Sequence, residues 1–192
     1  MKKRKPNPYR PLTVYTLHDE LMASDSQPLP QAQRTHHLSK MHLALHAMER
    51  MDAPTVNDWR LLSDAVEMMH ALVTQGELQE RNADGRTIAS HWRGCRGEII
   101  AVRDSAGLLN DAMQALGEAG GRHLQGKNLR LSGKDLEAVR NVLNDCTEAI
   151  NTLPARTMIR CHRRCASSTQ QRIFKNLPVP RMVLAQALAQ AW

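Results

Sequence analysis

Between Arg156 and Cys165 the chain reads RTMIRCHRRC, which puts four arginines, two cysteines and a histidine into ten residues. Three chemistries use such side chains: a thiolate and imidazole metal site, a redox dithiol, or a row of guanidinium forks for oxyanions. A metal site would draw on Cys146, Cys161 and Cys165 with His162, because zinc takes sulfur and imidazole donors. The helical context opposes it. Zinc knuckles carry their cysteines on a turn, whereas Cys161 and Cys165 fall at i and i+4 of one helical face. His162 then points about a hundred degrees away, and four cations stand beside the site. A redox pair fares worse, lacking both the Cys-x-x-Cys spacing and the helix N-terminus that lowers a thiol pKa. These thiols read as small core residues.

The arginines remain. At helical spacing Arg156, Arg160, Arg163 and Arg164 form a stripe, with Ser167, Ser168, Thr169, Gln170 and Gln171 extending its polar side. A row of guanidinium groups with no acid on the same helix suits phosphates or carboxylates, since each fork can bond two oxygens. The competing reading is that these arginines pair with acids of the chain's own body. His42 and His46 also lie at i and i+4, one turn after His36 and His37. They lack the Glu of a His-Glu-x-x-His motif and read as a polar face. Neither a metal nor a cofactor is expected. The sequence shows no phosphate-binding Gly-rich loop, no dinucleotide turn and no nucleophile elbow, so the expectation is a protein that binds rather than an enzyme. No helix-turn-helix with a glycine turn stands out, and one Phe, two Tyr and three Trp make no stacking platform for single strands.

Charge is distributed unevenly around these elements. The net charge is +7, yet residues 1–10 hold five basic groups (Lys2, Lys3, Arg4, Lys5, Arg10) and no acid. The last acid is Glu148, after which come seven basic residues, among them Arg172 and Lys175. Residues 11–148 carry the other 14 basic groups and all 19 acids, a net of −5. Concentrated positive charge attracts polyanions and speeds encounter with them. The expected partner surface is therefore Lys2, Lys3, Arg4 and Lys5 with Arg156, Arg160, Arg163, Arg164, Arg172 and Lys175.

The elements that must position these groups read as helices. Ten Met with many Leu and Ala, against few aromatic residues, favour helix over strand. Residues 1–34 hold five prolines and read as a basic, flexible arm, with a short helix around 13–24. Residues 35–51 place Leu38, Met41, Leu45 and Met48 on one face. Thr55 and Asp58 resemble a capping box, followed by Val56, Trp59, Leu62, Val66, Met69 and Val73 to Gly76. A second apolar row, Leu61, Ala65, Met68 and Leu72, makes this the central helix. Periodicity fades over 77–104, which reads as an insert, either a short hairpin or irregular chain. Helices follow over 105–121, stopped by Gly120-Gly121, over 134–153 behind a Ser132–Asp135 capping pair, and from Pro154 to about Phe174. The prolines of NLPVP then precede a terminal helix, Arg181 to Trp192. The expected architecture is all-α: one bundle of five or six helices over 35–176, a basic arm over 1–34 and a Pro-hinged C-terminal helix over 177–192.

No stretch approaches the roughly 18 apolar residues of a membrane span, and the basic start is followed by prolines rather than an apolar signal core. The expectation is a cytoplasmic protein with reduced thiols. KRKPNPYRPLTVYTLHDELM near the start and LPARTMIRCHRR near the end resemble segments of small proteins carried by prophages and plasmids of proteobacteria. The resemblance runs through most of the chain and carries no activity to any residue. It implies a phage or mobile-element protein that acts by binding a host protein or ribonucleoprotein complex, in the manner of inhibitors of host defence such as anti-CRISPR proteins. Alternatives are a direct, weakly sequence-specific DNA- or RNA-binding regulator contacting phosphates, or a structural helical oligomer.

Overall fold

The computed structural model describes residues 15–50, 54–104 and 107–174, without the side chains of 166–174. The basic residues at 2–5, the Arg172 side chain, Lys175 and the terminal segment 177–192 lie outside what is described. The element order is α1 (Leu17–Met22), α2 (Gln31–Arg50), α3 (Val56–Thr74), β1 (Leu78–Arg81), β2 (Thr87–Arg93), β3 (Ile99–Arg103), α4 (Leu108–Leu124), α5 (Gly133–Thr152) and α6 (Ala155–Phe174). The boundary at residue 34 falls inside α2, which begins at Gln31.

The chain is not all-α. Residues 78–103 form a three-stranded antiparallel sheet in the order β1-β2-β3, so the architecture is mixed α/β. The strands are short, four to seven residues, and their β-branched and aromatic members are too few to move the composition of the chain. Turns at Asn82–Arg86 and Gly94–Glu98 join them, each closed by a backbone hydrogen bond and carrying a positive-φ glycine, Gly85 or Gly97.

α3 is the hub, packing on α2, α4, α5, α6 and the sheet. Its start is fixed locally: Thr55 Oγ1 accepts from the Asp58 N–H while Asp58 accepts from the Thr55 N–H, a complete capping box. Its end is fixed by the sheet. A helix leaves its last four carbonyls without intrahelical donors, and here three receive a side chain from one face of the sheet. Trp92 Nε1 donates to Leu72 O at 2.8 Å, Ser90 Oγ to Val73 O at 2.6 Å and Gln79 Nε2 to Thr74 O at 2.6 Å. Gln79 and Ser90 are register partners, and Trp92 lies two residues further along β2 on the same face. The sheet thus caps the central helix.

Gly76 answers to packing rather than to backbone conformation. Its φ is not positive, but a Cβ there would lie 2.5 Å from the Ser90 Cβ and 2.9 Å from the His91 carbonyl oxygen.

Elsewhere two local expectations give way. α4 runs through Gly120 and Gly121 to Leu124, because Ala119 and Gly120 are buried against the core and packing outweighs the intrinsic cost of glycine. It ends at Gln125, ahead of the positive-φ Gly126. Ser132 stands at the N-cap of α5 but makes no side-chain cap bond. The corresponding service for α4 comes from Asp104, which accepts from Leu109 N at 2.9 Å and pairs with Arg86.

Candidate functional site: the clasped arginine face of α6

α6 has no acid of its own from Ala155 to Phe174, and its N-terminus is received by the loop that follows α1. The Ala155 N–H donates to Gln27 O at 2.8 Å and the Arg156 N–H to Ser24 O at 3.1 Å. Two donors that a helix N-terminus leaves unmet are thereby satisfied, and the loop is fixed with Leu29 buried beneath it. This brings α1 across the first turns of α6.

The arginine stripe is where α1 lands. Arg160 Nε donates to Glu20 Oε1 at 3.0 Å, and Arg163 donates to Glu20 Oε2. The Glu20 side chain is 13% exposed. Burial works against its ionisation, but the hydrogen bonds from Arg160 and Arg163 and their charges outweigh it and hold the carboxyl below its usual range. Arg156 serves the other end of α1. It donates to the Glu20 and Leu21 carbonyls at 3.2 and 3.1 Å and pairs with Asp25. A cation on the last carbonyls complements the helix dipole. Arg164, exposed, donates to Gln75 Oε1 at 3.5 Å. Three of the four stripe arginines thus meet acids or carbonyls contributed by residues 20–25.

Ahead of α1, Tyr15 is half-buried against α2 and α6. Its hydroxyl lies 2.8 Å from His37 Nε2, and its ring stands edge-on to His162 at 5.2 Å between centroids. Burial, then the neighbouring Asp19, pushes the Tyr15 phenol up. Burial, then His37, pushes His162 down to about 4, so its imidazole is neutral near pH 7. Together these residues border a pocket floored by Leu29, Met41, Ala65, Met68 and Met158.

The thiols do not gather. Cys146 and Cys161 are fully buried, and burial first of all pushes each up to about 12, which keeps them protonated and unreactive. Cys165 donates to the Glu67 carbonyl at 3.3 Å and Cys95 to the Thr152 carbonyl at 3.4 Å. All four are free cysteines. His42 and His46 lie exposed on α2. Among the described residues no three His, Cys, Asp or Glu side chains converge as metal ligands, and no helix is long and apolar enough to cross a membrane.

Sequence reasoning missed Tyr15, Glu20, Asp25 and His37. Glu20 is the one acid on the inner side of α1, and no local signal marks it, because its partners lie 140 and 143 residues away. Comparison with protein-family models, curated proteins and solved structures returns no match to this chain.

Proposed function

We propose that the chain is a non-enzymatic binding protein whose α6 arginine face engages an acidic segment of a partner protein in a host complex. One observation carries this reading. Arg160 and Arg163 converge on a single carboxylate that belongs to a helix lying across α6, so the face is shaped and charged to receive an acidic helical segment. The acid-free sequence after Glu148 and the basic residues 2–5 add electrostatic reach around it. A protein segment is favoured over a nucleic acid because carboxylates and main-chain carbonyls already satisfy these guanidinium groups.

Affinity capture from host-cell extract, with and without nuclease, tests this. The wild-type chain is expected to retain an acidic protein after nuclease treatment. Arg160→Ala/Arg163→Ala/Arg164→Ala is expected to lose that protein at unchanged helical circular dichroism. Retention of the same protein by the triple variant overturns the proposal. Nuclease-sensitive capture, with affinity falling steeply in salt, assigns the face to nucleic-acid phosphates instead.

A further inference from the structure

The segment now seated on the arginine face is attached in an unusual way. No residue of α1 is buried. Its apolar side chains face solvent, with Leu17 56%, Leu21 64% and Met22 73% exposed, while its acid Glu20 faces inward. Buried apolar area, the dominant adhesive of folded chains, contributes little here. The helix is held by charge, by two carbonyl bonds from Arg156 and by Tyr15 in front of it. The loop behind it is held quite differently, by the hydrogen bonds of Ser24 and Gln27 to the α6 N-terminus and by buried Leu29. Residues 15–22 are thus joined to the fold by polar contacts and the Tyr15 ring, and the chain from Ser24 on is pinned independently of them.

We infer that α1 is a tethered internal competitor, occupying the arginine face in place of the partner segment and displaying the chemistry that partner must carry. The inference rests on the reading of α6 as an acidic-partner surface. The imprint consists of an aromatic residue and a carboxylate five residues on, the spacing of Tyr15 and Glu20. Glu20 takes the Arg160 and Arg163 forks and the aromatic ring seats against His37 and His162, while Asp25, in the pinned loop, keeps Arg156. A partner segment with an aromatic residue just ahead of a short helix and a carboxylate on that helix's inner side exchanges like for like. Its binding withdraws Tyr15 from the pocket wall and leaves α1 free, with Leu17, Leu21 and Met22 available to the same complex.

The probe is a fluorescein-labelled peptide of residues 13–22, titrated by anisotropy onto the full-length chain. The wild-type chain should bind it weakly, because its own α1 competes. Glu20→Lys, or Tyr15→Ala/Glu20→Gln should the lysine perturb folding, is expected to bind the peptide about tenfold more tightly. Replacing Glu20 by Gln or Tyr15 by Ala within the peptide should remove binding. Adding Arg160→Ala/Arg163→Ala to the Glu20→Lys chain should remove it as well. Equal affinity of the peptide for wild-type and Glu20→Lys chains overturns the internal competitor. If poly-glutamate binds as well as the peptide and the binding is lost with the arginines, the imprint falls while the acidic-partner surface stands. If neither probe binds any variant, both readings fall together.

Discussion

Glu20 and Arg160 meet at 3.0 Å across 140 residues of chain, joining the shortest of the described helices to the last of them. Because Glu20 also takes Arg163, one carboxylate restrains two guanidinium groups. Replacing Glu20 by Gln removes the charge but keeps the shape. The expected loss is local and about 1–2 kcal/mol, between the value of an exposed ion pair and that of a charge-assisted hydrogen bond. Amide exchange over 17–22 should accelerate roughly tenfold while the urea midpoint of the whole chain barely moves, since α1 contributes nothing to the core. Unchanged exchange would show that the clasp holds nothing.

Acid should loosen the same region through His162. Its folded pKa of about 4 lies below the ordinary 6.5, so the fold prefers the neutral ring. His37, which faces Tyr15 and neighbours His162, is lowered by burial first and then by His36 and Lys40. The stabilisation is intact above about pH 6.5 and disappears as pH falls from there through about 4, worth roughly 3 kcal/mol for His162 alone. Glu20, also lowered, loosens α1 locally with the same sign at the acid end of that window, an effect read by amide exchange over 17–22 rather than by the midpoint. Urea midpoints at pH 7.5 and 4.5 measure the fall, and His162→Phe should flatten it.

The sheet's role as a cap predicts a cost well beyond its size. Trp92→Phe deletes the donor to Leu72 O and leaves a buried carbonyl unmet, with a small void beside it. About 2–3 kcal/mol should be lost. Ser90→Ala removes both the donor to Val73 O and the acceptor for the Gly76 N–H, for about 1–3 kcal/mol. Denaturant unfolding of each variant decides the matter; near-neutral values would mean that the end of α3 is held by something else.

Two glycine substitutions should move in opposite directions. Gly76→Ala drives a Cβ to 2.5 Å from Ser90 Cβ and 2.9 Å from a backbone oxygen, and overpacking of this kind costs about 1–3 kcal/mol. Gly121→Ala meets nothing within 4 Å and lies inside α4 without a positive φ. Alanine there should add about 0.5–1 kcal/mol through lower unfolded-chain entropy and higher helix propensity. Thermal midpoints of the pair provide the check.

Much of the helical frame was legible because a helix face is a property of neighbouring residues. Trp59, Leu62, Val66, Met69 and Val73 repeat at the helical period, and all are buried. The Thr55–Asp58 box needs only three residues of spacing, and it forms as read. The Ser132 cap, judged by the same local rule, lacks its bond. The sheet was less legible. Its strands offer only four to seven residues each, and their stability comes from the carbonyls of α3 and from the core rather than from strand propensity. Gly120 and Gly121 look like a stop until the burial of that turn is known.

The amino-acid order by itself determined the helix faces and the gathering of arginines without acids after Glu148, while it left 77–104 open between a hairpin and irregular chain. The first two follow from periodicity and charge, which act over a few residues. Only the tertiary structure decided what the arginines of RTMIRCHRRC touch. Ion pairing depends on distance in space, and the pinned loop over Ser24–Leu29 sets that distance by laying Glu20 and Asp25 on α6 from more than 130 residues away.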